Sequence, residues 1–515
     1  MIEEQLAEPA NPNQEQGAPQ APQSQQVEKK KILVIGAGPC GILATKHLSI
    51  NNDVICVDSK EGLGGLWHYD KHDENNHPNL NQNAYYQNYG VLQSSLYEDM
   101  VSNFPKCLMT YKGFPPKKEY NQFMTTAEFN DYLNCYTAHF DIQKCMKFNT
   151  FVVKVRLAAN MTEEELQKVG FNVTKRFVAS LCPSESYKAD KSNISYIEVD
   201  SVVVCSGHDS VPNYPKIENR EVFEGDVIHM HNFRKHKLDQ YKNTHVLIYG
   251  ANMSAQDLVQ FMITDKDKRA SKVTVLGNKQ LISQFEKTKA YKKEIDEGIL
   301  EMRVGVIRNY LGKQSIILED ETVIDKIDNI IYATGYQYRY PFLEDTGDNL
   351  IETYNKESRC NAFGPLYRRI FSIREPNLVF LGLIAGQLTI EAMYERQAIV
   401  AKRVLDGDVL LPSKEDMLRE FKLEYDEIQK YSKDFKNFFK ISNREGVGSV
   451  QELNYIKMCQ EIAQIPIDEE FQKIAFEVCG PIMDSYMAQG NYAFMKKHDF
   501  GSLYPENYSP NPSLF

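Results

Sequence analysis

Two short apolar runs, each followed at once by a glycine-rich loop and a helical pattern, constrain the fold of this chain more than any other feature. The first run, 32–35, leads into GAGPCG from Gly36, and the second, 245–249, leads into GANMSA from Gly250. A strand, a glycine-rich turn and a helix in this order begin a βαβ unit that binds a dinucleotide. The sequence therefore predicts an α/β protein with two Rossmann-like dinucleotide-binding domains.

The first loop contains the residue types that a dinucleotide-binding turn requires. Gly36 suits the tight turn, Gly38 lets a pyrophosphate approach the backbone, and Gly41 lets the helix pack closely on the strand. Asp58 follows the next predicted strand, where a carboxylate can accept hydrogen bonds from ribose hydroxyls. Free amide groups at the start of the helix would bind the phosphates. The candidate binding residues of this loop are Gly36, Gly38, Pro39, Cys40, Gly41 and Asp58.

The second loop departs from the glycine pattern. Asn252 stands where the second glycine is usual, and Ala255 stands where the third is usual. Asn tolerates a positive φ better than other residues with side chains, and Ala still permits close packing of the helix. We therefore expect Gly250, Ser254 and Ala255 to bind a dinucleotide.

The type of nicotinamide cofactor follows from the end of the next predicted strand, 273–276. No carboxylate follows this strand, and Lys279 comes three residues after it. A carboxylate there would repel a 2′-phosphate, whereas a cation would attract one. The pattern favours NADPH over NADH, with Lys279 as the first candidate for the phosphate and Lys272 as the second.

Composition excludes several classes of protein. The 515 residues are too many for one compact core, and the net charge of −11 argues against a nucleic-acid partner. No apolar run reaches the roughly 18–20 residues that span a bilayer, and the N-terminus lacks the basic and apolar segments of a secretion signal. The ten cysteines include no C-x-x-C pair, as in proteins of a reducing compartment. We expect a cytoplasmic protein without a membrane anchor.

The order of the patterns predicts that one domain is inserted in another. Residues 1–30 are rich in Gln and Pro and predict a disordered tail. Apolar strands near 202–207 and 330–335 are interpreted as the exit from the first domain and the return to it. The predicted division is 31–211 and 328–411 for the first domain and 212–327 for the second. Residues 412–515 predict a helical region that ends in a polar tail.

Three further elements carry a resemblance to a known family. They are FEGDVIHMHNFR from Phe223 to Arg234, GGLW from Gly64 to Trp67, and ATGY ending at Tyr336. With the two loops, they resemble the flavin-containing monooxygenases, which are class B flavoprotein monooxygenases, and most closely their soluble trimethylamine-monooxygenase-like branch. The similarity runs from about residue 31 to the helices beyond Pro412.

This resemblance implies FAD at the first loop and NADPH at the second, so that an NADPH-binding domain is inserted in an FAD-binding domain. It implies that NADPH reduces FAD, that O2 forms a C4a-hydroperoxyflavin, and that a small soft nucleophile, an amine or a sulfide, receives the oxygen on nitrogen or sulfur. It also implies that the amide of Asn103 lies beside the flavin as the catalytic residue. The residues that it places beside the cofactors are Gly65, Leu66, Trp67, Thr334, Gly335 and Gln397.

Two other functions stay open at this point. One is a Baeyer–Villiger monooxygenase, although that branch usually has Trp followed by Pro or Asp where this chain has Phe233 and Arg234. The other is a degenerate flavoprotein with a binding or structural role, whose altered second loop no longer binds NADPH. No metal site is predicted, because the loop that contains His68, Asp70 and His72 matches no zinc motif. The substrate and the oligomeric state, including a homodimer, are left open.

Overall fold

The computed structural model describes residues 29–69, 94–97, 100–189, 192–264, 267, 269–286, 291–344, 346–354, 362–385, 389–431, 439 and 448–481. Nearly all of the predicted N-terminal tail and the whole polar C-terminal tail lie outside these residues. Outside them too are Asp70 and His72 of the loop that was judged not to bind metal.

Twenty-two strands are described. In chain order they are β1 (Lys31–Ile35), β2 (Asp53–Val57), β3 (Met146–Lys147), β4 (Thr150–Leu157), β5 (Phe177–Pro183), β6 (Ser195–Val199), β7 (Ser201–Val204), β8 (Val211–Pro212), β9 (Asp226–His229), β10 (His245–Tyr249), β11 (Lys272–Gly277), β12 (Leu300–Val304), β13 (Ile307–Gly312), β14 (Ser315–Leu318), β15 (Val323–Ile324), β16 (Asn329–Tyr332), β17 (Tyr336–Gln337), β18 (Glu352–Tyr354), β19 (Ala362–Gly364), β20 (Leu366–Tyr367), β21 (Phe371–Ser372) and β22 (Leu378–Phe380).

The helices of the described ranges follow the same order. They are α1 (Pro39–Leu48), α2 (Thr126–His139), α3 (Glu163–Val169), α4 (Ser184–Ala189), α5 (Met253–Thr264), α6 (Lys279–Glu286), α7 (Lys292–Asp296), α8 (Ile390–Asp406), α9 (Lys414–Tyr431), α10 (Gly448–Ala463) and α11 (Glu469–Gln472), which continues into a π-helix (Lys473–Cys479). None of these helices combines the length and the apolarity that crossing a bilayer requires.

The first Rossmann-like unit is a seven-stranded sheet in the order β20-β21-β22-β7-β1-β2-β3. β1 pairs in parallel with β2 and with β7. Ile32 and Val34 face the core that contains α1 and α8, whereas Leu33 and Ile35 face the core that contains β4, β5 and β6. Because both faces of the sheet are covered, the strand is a continuous apolar run rather than an alternating one.

The second unit is a five-stranded sheet in the order β12-β11-β10-β16-β9. β10 pairs in parallel with β11 and with β16. The interpretation of Ile330–Gly335 as the return to the first domain is wrong for β16. Ile330 pairs with Leu247, and Ile331 with Ile248, so β16 lies inside the second sheet. A buried apolar strand looks the same in either sheet, so only the pairing reveals its position.

Two connections between the sheets run side by side. The first leaves β7 and contains β8, and the second follows β16 and contains β17. These short strands pair antiparallel, with Pro212 opposite Tyr336. The side chain of Thr334 donates to the carbonyl oxygen of Asn213 at 2.5 Å, and the amide of Asn213 donates to the carbonyl oxygen of Gly335 at 2.8 Å. The chain therefore crosses between the two units twice at one place, and this pair of connections, 211–213 and 334–337, is called the joint.

The described stretches of the C-terminal region, 412–431 and 448–481, are mainly helical, and α8 precedes them. α8 packs on α1 and ends at Gly407, whose φ of +88° only glycine adopts readily. α10 packs on α8 through the same core. Two Rossmann-like units with C-terminal helices make up the described chain, and the predicted fold class is confirmed.

Candidate active site

The first glycine-rich loop has no room for side chains at its turn. Gly36 has a φ of +101°, and a Cβ atom there would lie 2.5 Å from the carbonyl oxygen of Cys205. A Cβ atom on Gly41 would lie 1.7 Å from the carbonyl oxygen of Gly36. A Cβ atom on Gly38 would meet only ordinary contacts, the nearest at 3.5 Å to Gly65. The turn therefore needs glycine for folding at Gly36 and Gly41, whereas Gly38 leaves the approach to α1 open for a ligand.

Asp58 lies at the carboxyl end of β2, as its predicted role requires. One oxygen of its carboxylate accepts from the amide of Ala37 at 2.7 Å, and the other accepts from the amide of Lys60 at 2.8 Å. Burial raises the pKa of Asp58, and these two hydrogen bonds oppose the rise. The carboxylate is thus held against the glycine-rich loop with lone pairs left for ribose hydroxyls.

The GGLW segment packs on the first loop. Gly65 has a φ of +57°, and a Cβ atom on it would lie 2.8 Å from the Cα atom of Gly38. The carbonyl oxygen of Leu66 accepts from the hydroxyl of Ser94 at 2.7 Å. The ring of Trp67 meets the ring of Phe129 edge-on, with centroids 4.7 Å apart. The structure therefore brings this segment to the loop that the sequence analysis assigned to FAD.

Two more predicted site residues, Gln397 and Asn103, differ in whether their side-chain amides already make hydrogen bonds within the protein. Gln397 is fully buried in α8, where its side chain accepts from the amide of Gly382 at 3.0 Å and donates to the hydroxyl of Tyr455 at 2.8 Å. Asn103 is half-buried, and its side chain makes no hydrogen bond to other described residues. The amide of Asn103 is therefore available to a ligand, whereas that of Gln397 is used to hold the backbone at Gly382.

The second loop keeps the geometry of a dinucleotide-binding turn in spite of its altered sequence. Gly250 has a φ of +124°, and a Cβ atom there would lie 2.2 Å from the carbonyl oxygen of Ala333. Asn252 is not among the described non-glycine residues with a positive φ, so this position does not need the tolerance that we expected Asn to supply. Its carbonyl oxygen accepts from the amide of Ala255, which is fully buried, while Ser254 is exposed.

The two candidate lysines differ in their surroundings. Lys272 forms an ion pair with Glu301 at 2.7 Å. Lys279 is exposed at the start of α6, and no described acidic side chain lies within ion-pair distance of it. Lys279 is thus the cation that is available to a phosphate.

The segment 223–234 contains β9, an edge strand of the second sheet, and is buried at its end. Burial lowers the pKa of His229 to about 3, so this histidine is neutral at physiological pH. Arg234 is also buried and donates to the carbonyl oxygens of His231 at 3.0 Å, Phe233 at 2.8 Å and Ser94 at 3.2 Å. The neutral His229 and the two hydrogen-bonded terminal nitrogens of Arg234 fit a structural role for the end of this segment.

Two features of the site escaped the sequence analysis. The hydroxyl of Tyr97 donates to the carboxylate of Asp257 in α5, which ties the segment 94–97 to the second loop. Glu391, in the first turn of α8, is buried and accepts from the hydroxyl of Tyr111 at 3.3 Å. Burial raises the pKa of Glu391 to about 8. An isolated acid in a helical pattern has no sequence signal that separates it from a solvated one.

Among the described residues, no group of three or more His, Cys, Asp or Glu side chains could hold a metal ion.

A comparison with known protein families identifies the family to which the chain with these two loops belongs. A model of the flavin-binding monooxygenase-like family matches residues 29–280 and 278–487. The chain belongs to this family. It is a flavin monooxygenase, and its cofactors are those of the family, FAD and NADPH. The residues at the two turns fit the two dinucleotides, because Gly36, Gly38 and Gly250 place no side chain where a pyrophosphate would approach.

Relatives of this flavin monooxygenase cover most of its length. A flavin-containing monooxygenase of Arabidopsis thaliana, FMO GS-OX-like 2, is 28% identical over 409 residues, which are 78% of this chain and 79% of the relative. Senecionine N-oxygenase of Tyria jacobaeae is 24% identical over 451 residues, which are 86% of this chain and 85% of the relative.

A solved structure shows the same fold. S-allyl-L-cysteine S-oxygenase from Allium sativum has a TM-score of 0.68 at 20% identity and covers 92% of this chain and 97% of its own.

Proposed function

We propose that this flavin monooxygenase uses NADPH and O2 to oxygenate a small soft nucleophile, an amine or a sulfide, on nitrogen or sulfur. The observation that carries the proposal is that both glycine-rich loops have dinucleotide-binding geometry, including the loop with Asn252. Relatives named for S-oxygenation and N-oxygenation support the reaction class.

The residues of the first unit would hold and orient FAD. When bound, FAD accepts hydride from NADPH, reacts with O2 and supplies the oxygen atom that is transferred. The amides at the start of α1 would bind its pyrophosphate, and Asp58 would accept from its ribose. Leu66 and Trp67 would contact it through a segment that Ser94 and Phe129 fix in place.

The residues of the second unit would hold NADPH. Gly250, Ser254 and Ala255 form the turn, and the exposed Lys279 would attract the 2′-phosphate. Thr334 and Gly335 lie in the joint between the units, where the carbonyl oxygen of Ala333 meets Gly250.

Asn103 would be the catalytic residue that touches the reacting end of the flavin. The residue before Asn103 is fixed by two hydrogen bonds of 2.8 Å. The backbone amide of Ser102 donates to the carbonyl oxygen of Met124, and the hydroxyl of Ser102 donates to the carbonyl oxygen of Phe104. A held backbone with an available amide is what a preorganised hydrogen-bond donor requires. The amide would keep water and stray protons from the reacting atoms, since these divert the reduced flavin and O2 to hydrogen peroxide.

The test measures cofactor use and product together. The FAD-loaded protein is incubated with NADPH, isotope-labelled O2 and one of three probes: a tertiary amine, a thioether or a cyclic ketone. We expect NADPH oxidation and a labelled N-oxide or S-oxide from the first two. An ester from the ketone alone would establish the Baeyer–Villiger reaction instead. Retained FAD without NADPH oxidation would favour the degenerate flavoprotein.

Asn103 is tested by Asn103→Ala in the same assay. We expect NADPH oxidation to continue while the labelled product falls roughly tenfold or more and peroxide rises in its place, the size of effect that a lost active-site donor produces. Asn134→Ala is the matched control, because Asn134 is also half-buried but its side chain donates to the carbonyl oxygen of Asn130 within α2. Equal product yields from the two variants would remove Asn103 from the catalytic role.

The domain limits and the location belong to the same proposal. The pairing of β16 supports an NADPH-binding domain of about 212–333 within an FAD-binding domain of about 31–211 and 334–411. The nine described cysteines are free thiols, which supports a cytoplasmic location. The similarity to the trimethylamine-monooxygenase-like branch stays a prediction, and Tmm from a Pelagibacter strain shares the fold at a TM-score of 0.63 and 22% identity.

A further inference from the structure

Two thiols that are far apart in the sequence contact each other at residues 101–108, called the Asn103 segment. The Sγ atoms of Cys107 and Cys479 are 4.0 Å apart, although 372 residues separate them along the chain. Cys107 lies in a short helical turn, Lys106–Leu108, and Cys479 is the last residue of the π-helix. A disulfide has its sulfur atoms about 2.05 Å apart, so the thiols need to approach by only about 2 Å.

The surroundings of the two thiols belong to four parts of the chain. The side chains of this cluster come from the Asn103 segment, from the residues before α2, from the start of α5 in the second unit, and from the C-terminal helices. These apolar neighbours are Val101, Phe104, Leu108, Phe123, Met253, Phe471, Ala475 and Phe476. A bond between the thiols would therefore tie the C-terminal helices to the segment that carries Asn103, next to the helix that begins at the second loop.

We propose that Cys107 and Cys479 form an oxidation site, which hydrogen peroxide converts to a disulfide. The thiolate of Cys107 attacks one peroxide oxygen, the O–O bond breaks, and hydroxide leaves and is protonated to water, so that Cys107 becomes a sulfenic acid. The thiolate of Cys479 then attacks that sulfur and expels the oxygen as a second water. Both thiols lose their protons, the sulfur pair is oxidised by two electrons, and one peroxide is reduced to two waters.

The exposure of the two thiols suits these separate roles. Cys107 is half-buried, so peroxide can reach it, whereas Cys479 is fully buried and meets only Cys107 among the described cysteines. The hydrogen bond from Cys107 lowers the pKa of Cys479, and the same bond together with burial raises the pKa of Cys107. Exposure and the 4.0 Å separation of the sulfur atoms, rather than acidity, assign the roles of the two thiols.

The test treats the reduced, FAD-loaded full chain with one equivalent of hydrogen peroxide, in the absence of NADPH. We expect two fewer free thiols than the ten of the reduced chain and a peptide that links Cys107 to Cys479 under non-reducing conditions. Dithiothreitol should restore both thiols. Because no turnover is needed, this result does not depend on the proposed substrate or on NADPH binding.

Cys135 is the matched control. It is half-buried like Cys107, but its Sγ atom contacts the carboxylate of Asp131 at 4.0 Å rather than a second thiol. We expect Cys135 to stay alkylatable while the linked peptide forms, and Cys107→Ser and Cys479→Ala to abolish that peptide in folded protein. Oxidation of Cys135 as fast as Cys107, or sulfinic acid at Cys107 in place of the linked peptide, would overturn the proposal.

Discussion

Replacing Glu391 with glutamine should stabilise this enzyme at pH 8 and leave its stability almost unchanged near pH 5. Glu391 is 6% exposed, and its carboxyl group accepts from the hydroxyl of Tyr111 at 3.3 Å. Its other neighbours include the thiol of Cys40 and the ring of Tyr394. Burial without a cation raises the pKa of Glu391 from 4.5 to about 8.

The sign follows from the protons bound in each state. Between pH 4.5 and about 8, the unfolded chain releases the proton of Glu391 while the folded chain keeps it. The folded state therefore loses stability as pH rises through this window, by about 1.4 kcal/mol per pH unit. Over the whole window the loss is on the order of 5 kcal/mol. Glutamine has the same shape and does not titrate, so Glu391→Gln removes this slope.

The assay is chemical denaturation of both proteins from pH 5 to pH 8.5 at one saturating FAD concentration. Glu395→Gln is the control, because Glu395 is also buried in α8 but pairs with Arg396 at 2.9 Å. Breaking that buried pair should destabilise the protein by roughly 3–5 kcal/mol at every pH. If wild type and Glu391→Gln gave parallel curves across the range, a neutral buried Glu391 would be refuted.

Three further variants test other parts of the site. Gly41→Ala should weaken FAD binding roughly tenfold or more, because its methyl group overlaps backbone. Gly38→Ala should fold normally, because its methyl group meets only ordinary contacts, but it should bind FAD more weakly than wild type. Flavin retention on gel filtration measures FAD binding by both variants. Lys279→Ala should raise the KM for NADPH roughly fivefold, a loss of about 1 kcal/mol of binding free energy, and leave the KM for NADH unchanged. Lys272→Ala should not discriminate between the two cofactors, because Lys272 is paired with Glu301. His229→Asn should flatten the loss of stability below pH 6.5, because the folded state keeps His229 neutral down to about pH 3 while the unfolded chain binds a proton.

The elements with strong local chemistry could be predicted from the sequence. A glycine at Gly36 or Gly250 is required by a turn that closes on backbone, so the residue type reports the geometry directly. Asp58 was found for a similar reason, because the carboxyl end of β2 must lie beside the first loop when β1 and β2 are parallel.

Positions that depend on pairing over long distances could not be predicted. The β16 strand has the same apolar pattern in either sheet, and only its hydrogen bonds to β10 place it in the second. Glu391 and Tyr111 are 280 residues apart, and so no local pattern relates them. Asn252 shows the reverse case, in which a departure from the motif predicted strain that the backbone does not have.

The residues from Phe223 to Arg234 make structural contacts within the second unit and to the first part of the chain. A Cβ atom on Gly225 would lie 2.0 Å from the carbonyl oxygen of Asp328, so β9 can enter the second sheet only with glycine there. The ring of Phe233 stacks on Phe261 of α5 with centroids 6.2 Å apart, and Arg234 reaches across to the carbonyl oxygen of Ser94. Gly225 and Phe233 thus fix the segment within the second unit, and Arg234 joins it to the strip of chain that precedes Asn103. Since an oxygen-transferring flavin requires the two cofactors in register, the motif reports the alignment of the two units rather than a catalytic group.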